Sequence, residues 1–67
     1  MDISLNGTPH RFDGSSLIEL LAAQAIDQAK PGVAVAINEE IVPRSRYAET
    51  WLASGDALEI VHFIGGG

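Results

Sequence analysis

Apolar and polar positions change their period along this chain, and each change marks an element. Ile3-Ser4-Leu5 alternates with the two-residue period of a half-buried strand, and after Asn6-Gly7 the chain resumes toward Phe12. Asn-Gly between two such runs favours a type I′ turn, because both residues tolerate positive φ, so the spacing predicts a β-hairpin. Pro9 has no N–H to offer a neighbour, which places the second strand at a sheet edge.

Ser16-Leu17-Ile18-Glu19 is a capping box, in which the serine hydroxyl accepts the N–H of position 19 and the glutamate reaches back. Leu17, Leu20 and Leu21 share one face at i, i+3, i+4 spacing, predicting a helix that ends before Pro31, with Gly32 in the connection. Gln24 interrupts the stripe and is expected at the margin of the buried face, with Ala25 or Ile26 closing the contact. Val33-Ala34-Val35-Ala36-Ile37 is β-branched at every second position, which predicts a well-buried strand with bulk on one face and methyl groups on the other. Asn38-Glu39-Glu40 turns into Ile41-Val42, which Pro43 stops.

From Arg44 to Ser54 the helix-like spacing of Tyr47, Trp51 and Leu52 is short and weakly capped, predicting an irregular turn with at most one helical turn. Both aromatics are expected to pack in so small a core. Ser54-Gly55-Asp56 is a turn, and Leu58 to Phe63 is a strand running almost directly into Gly65-Gly66-Gly67. The order β-β-α-β-β-β predicts a two-layer α+β fold, a sheet with one helix packed on one face. One domain over residues 1–64 is expected, followed by a flexible tail at 65–67.

Composition narrows what such a domain does. With 67 residues and no cysteine, the chain folds on packing alone, without disulfides or cysteine-ligated zinc. Nine acidic against four basic residues give a formal net charge of -5, which argues against nucleic acid, since phosphate binding works through Lys and Arg. Arg44 and Arg46, beside Glu39, Glu40 and Glu49, read as a solvated mixed-charge surface. No apolar run approaches a membrane span and Met1-Asp2-Ile3 starts no secretion signal, so the expectation is a cytoplasmic protein. His10 and His62 have no partner at ligand spacing, and Glu39-Glu40 reads as a solvated turn, so neither a metal site nor a catalytic site is expected.

The chemistry is expected at the C-terminus. Terminal glycines alone are weak evidence, but here they follow a core strand almost without spacer, so the carboxylate of Gly67 projects from a rigid body on a short stalk of Gly65 and Gly66. Without Cβ atoms such a stalk fits a narrow channel. The ionised carboxylate is a nucleophile toward the α-phosphate of ATP, and adenylation makes it an acyl electrophile. Alternation in the last strand, with Glu59 kept out of the core, turns Leu58 and Ile60 toward the helix. Val61 and Phe63 fall on the open side and, with Ile64, form the expected partner-binding patch.

Ala36-Ile37-Asn38-Glu39-Glu40-Ile41-Val42-Pro43-Arg44, Gly55-Asp56 and the terminal Gly66-Gly67 together resemble the ThiS sulfur carriers of bacterial thiamine biosynthesis, over the whole chain. The resemblance implies a ubiquitin-like β-grasp fold and a protein that is a co-substrate rather than an enzyme. It implies that an E1-like, ThiF-type adenylyltransferase using ATP and Mg activates Gly67, that a persulfide protein donates sulfur, and that the resulting thiocarboxylate supplies a ThiG-type thiazole synthase. The chain itself is expected to bind no cofactor.

Three other functions fit parts of the pattern. A molybdopterin-synthase small subunit shares the fold and tail, but such chains are typically longer and often carry prolines where this one reads Val61-His62-Phe63-Ile64. A conjugating modifier would have Lys30 as its one lysine acceptor for chain building. A non-catalytic ubiquitin-like interaction module would not depend on a free C-terminus.

Overall fold

The computed structural model describes residues 1–29 and 31–62. Five strands and two helical segments follow one another: β1 Asp2–Leu5, β2 Thr8–Arg11, α1 Leu17–Ala23, β3 Val33–Ile37, β4 Glu40–Val42, a 3-10 helix Arg44–Glu49 and β5 Ala57–His62. The sheet order is β2-β1-β5-β3-β4, with β1 and β5 parallel at its centre and the other pairs antiparallel. The first and last strands are thus neighbours. Pro9 lies on the edge strand β2, opposite Ser4.

Both tight hairpins use positive φ. Asn6 (51°) and Gly7 (82°) join β1 to β2, and Asn38 (51°) and Glu39 (69°) join β3 to β4. The capping box is complete: the Glu19 N–H donates to Ser16 Oγ at 3.1 Å, and Glu19 Oε1 accepts the Ser16 N–H at 3.1 Å and its hydroxyl at 2.9 Å.

The helix ends well before Pro31. Gln24 is its C-cap, and Ala25 turns left-handed at φ 59°. The Ala25 N–H donates to the Ala22 carbonyl at 3.0 Å and the Ile26 N–H to the Leu21 carbonyl at 2.9 Å, the paired bonds of a Schellman ending built on alanine instead of glycine. Ile26 packs against the core, Gln24 sits at its margin, and Ala25 is exposed.

Leu17, Leu20 and Leu21 are buried against Ile3, Val35, Leu58 and Ile60 of the sheet, with Phe12, Tyr47 and Leu52 completing the core. In β3 Val35 is buried, whereas Val33 and Ile37 are only half-buried. Two expectations for the 44–54 segment need correction. Residues 44–49 form a six-residue 3-10 helix, longer than one turn, and Trp51 is 69% exposed while Tyr47 is buried. Trp51 lies in an extended stretch bridged to Ser16, with the Leu17 N–H donating to the Thr50 carbonyl at 3.0 Å and the Leu52 N–H to the Ser15 carbonyl at 2.8 Å. Extended residues alternate sides, so burying Leu52 turns Trp51 outward.

Candidate functional site

The helix covers one face of the sheet, and the other face carries the candidate site. Along β5, Leu58 and Ile60 are buried and Glu59 and Val61 are exposed, the phase expected from keeping the carboxylate in water. Across the strands Ala36 stands opposite both Ile41 and Glu59, and Ala34 opposite Val61. The small side chains of Ala34 and Ala36 leave a hollow of about 230 Å³ between Ile41 and Val61, which are 79% and 48% exposed.

Val61 is therefore where the strand pattern predicts it. Phe63, Ile64, Gly65, Gly66 and Gly67 lie outside the described residues. Sequence reasoning missed Ile41, because only the β3–β4 register brings it beside Ala36 on the open face. The available signal was the alanine spacing of β3, which marks a face without bulk.

Two side chains of the 38–44 stretch hold loops. Asn38 Nδ2 donates to Asp56 Oδ1 at 3.0 Å, and Asn38 Oδ1 accepts the Ala57 N–H at 2.9 Å, tying the β3–β4 turn to the start of β5. Arg44 Nε and Nη2 both donate to the Gln28 carbonyl, at 3.0 and 2.6 Å, so this exposed arginine braces the connection after α1. Arg46 and Glu49 do form an exposed pair at 3.6 Å.

Glu19, in the first turn of α1, has a lowered pKa. The Ser16 hydroxyl, followed by the Ser15 and Ser16 N–H groups, holds its carboxyl below the usual range. That is helix capping, remote from the open face in role. Among the described residues no group of three or more His, Cys, Asp or Glu side chains could hold a metal ion, and no helix is long and apolar enough to cross a membrane.

A family model described as the ThiS family matches residues 3–67. The chain belongs to the ThiS family. The sulfur carrier protein ThiS of Bacillus subtilis is 37% identical over 67 residues, covering 97% of this chain and 98% of that one. A thiazole synthase of Paramagnetospirillum magneticum is 47% identical over 68 residues, and this chain spans 20% of its length. The crystal structure of a thiamine biosynthesis protein (ThiS) from Geobacter metallireducens superposes with a TM-score of 0.79 at 38% identity, each chain fully covered (100%). The mixed five-stranded sheet with one helix on one face is thus the ubiquitin-like β-grasp of ThiS, and the family match runs through the glycine triplet.

Proposed function

We propose that this ThiS-family chain is a sulfur carrier for thiamine biosynthesis and that Gly67 carries the sulfur as a thiocarboxylate. The supporting observation is the family match through residue 67, joined to a body whose last described strand leads toward that residue. In this reading a ThiF-type adenylyltransferase supplies Mg and ATP. The Gly67 carboxylate attacks the α-phosphorus and expels pyrophosphate, giving an acyl adenylate. A persulfide sulfur then displaces AMP, and thiol attack on the resulting S–S bond frees the thiocarboxylate and leaves a disulfide on the attacking protein. Gly65 and Gly66 thread the partner's channel, where a Cβ would obstruct. Val61, Phe63 and Ile64 dock the activating enzyme and then a ThiG-type thiazole synthase in succession. The chain binds no cofactor and acts in the cytoplasm.

The test is intact mass after incubation with ATP, Mg, a persulfide donor and a ThiF-type enzyme. Exchange of one oxygen for sulfur is expected, with loss of loading in a chain extended beyond Gly67 and poor loading of Gly66→Val. Normal pyrophosphate exchange by the extended chain would refute the role of the free carboxylate.

A further inference from the structure

Asn6 answers two demands at the end of β1. The two-residue turn to β2 needs positive φ, and Asn6 adopts 51° beside Gly7 at 82°. Glycine or aspartate would serve that turn as well. The second demand comes from β5. The Ser4 N–H donates to the Asp56 carbonyl at 3.0 Å and the Asn6 N–H to the Leu58 carbonyl at 2.8 Å. These are alternate rungs of a parallel ladder, whose next bond would run from the Ile60 N–H to the backbone carbonyl of residue 6. There the chain turns toward β2, and the Asn6 side chain takes the place of a strand: Oδ1 accepts the Ile60 N–H at 2.8 Å and Nδ2 donates to the Ile60 carbonyl at 3.2 Å. A carboxamide carries the acceptor and the donor of a peptide group, whereas glycine has neither in its side chain and an ionised aspartate lacks the donor.

The place of this clamp matters. Backbone pairing of β1 with β5 ends at Leu5↔Leu58, while β3 pairs with β5 as far as Val33↔His62. On the β1 side, Asn6 is therefore what holds Ile60. The next residue, Val61, rims the hollow on the open face, and the sequence continues from it toward Gly67.

We propose that Asn6 is a positioning residue for the carrier: by clamping Ile60 it fixes where Val61 and the outgoing chain stand before an activating enzyme docks. Without the clamp, that ordering falls on the docking step, which weakens binding and leaves the chemistry of the bound chain unchanged. The role in loading rests on the proposed function; the clamp itself does not.

The experiment compares the parent, Asn6→Gly and Gly7→Ala at a temperature where all three are folded, by amide hydrogen exchange and by pyrophosphate exchange with a ThiF-type adenylyltransferase, ATP and Mg. Asn6→Gly keeps a turn-competent pair and removes the clamp. Gly7→Ala keeps the clamp and weakens the turn, because its φ of 82° strains an L side chain although a Cβ there meets nothing within 4 Å. Asn6→Gly should speed exchange of the Ile60 amide by about tenfold, the effect of losing one hydrogen bond. It should also raise KM for the chain by about fivefold at unchanged kcat. Gly7→Ala should lower the denaturation midpoint and retain the parent's KM. Asn6→Asp, which keeps the turn and the acceptor but not the donor, should raise KM in the same direction and replaces Asn6→Gly if that variant does not fold. Ile60 exchange as fast in the parent as in Asn6→Gly, a parental KM in the Asn6 variants, or an equal rise of KM in Gly7→Ala would each overturn the proposal, the last by reducing Asn6 to a turn residue. A parent chain that supports no pyrophosphate exchange would refute the proposed function and the loading role with it, and the Ile60 amide would still report separately on the clamp.

Discussion

Asn38 and Asp56 are joined side chain to side chain at 3.0 Å, across the two turns that flank β5's entry into the sheet. Asp56 also accepts the Ala53 N–H at 2.8 Å through its other oxygen, and Asn38 accepts the Ala57 N–H at 2.9 Å. One exposed pair therefore sets where the last strand begins. Asn38→Ala and Asp56→Ala should each lower unfolding free energy by about 1 kcal/mol, and the double variant should lose less than the sum. Urea denaturation of the four proteins checks this; strict additivity would mean the two turns are held independently.

Ala25 ends α1 at a positive φ that an L side chain adopts at a cost. Ala25→Gly removes that strain but adds backbone freedom to the unfolded chain, for a net gain of about 0.5 kcal/mol. An unchanged or lower denaturation midpoint would show that the left-handed residue carries little strain.

Glu19 binds its proton less readily when folded than when unfolded, chiefly through the Ser16 hydroxyl. Its contribution is therefore present above its unfolded pKa and is lost as pH falls through the lower folded value. Glu19→Gln retains a capping side chain but not the titration, so its stability should fall less steeply on acidification. Parallel stability curves for the two proteins on the acid side would contradict this.

Ile41 projects from β4 on the open face and contributes little to the core. Ile41→Glu should leave the melting temperature within a few degrees of the parent, since exposed substitutions change stability by about 0.5 kcal/mol or less. Binding to thiazole synthase should weaken by about tenfold, as expected for removing one apolar anchor from an interface. Titration calorimetry provides the comparison, and unaltered affinity would remove Ile41 from the docking face.

What the sequence determined by itself was local. The strand periods, the Ser16–Glu19 box, the Leu17-Leu20-Leu21 stripe and the Asn6-Gly7 turn all follow from steric and hydrogen-bonding preferences acting within a few residues, and they are read without a neighbour in view. The phase of β5 was legible for a related reason: Glu59 cannot be buried unpaired, and period two does the rest. Tertiary structure decided whatever depends on partners far along the chain. Asn6 meets Ile60 across 54 positions, and Arg44 meets Gln28 across 16. Trp51 faces water because Leu52 takes the inward side, and α1 stops at Ala25 because Ile26 must return to the core. Ile41 joins Val61 on one face only once β4 and β5 stand on either side of β3. Sequence spacing fixes which residues share a face within an element, but the choice of neighbouring strand, and with it the surface offered to a partner, is made by packing around the common core.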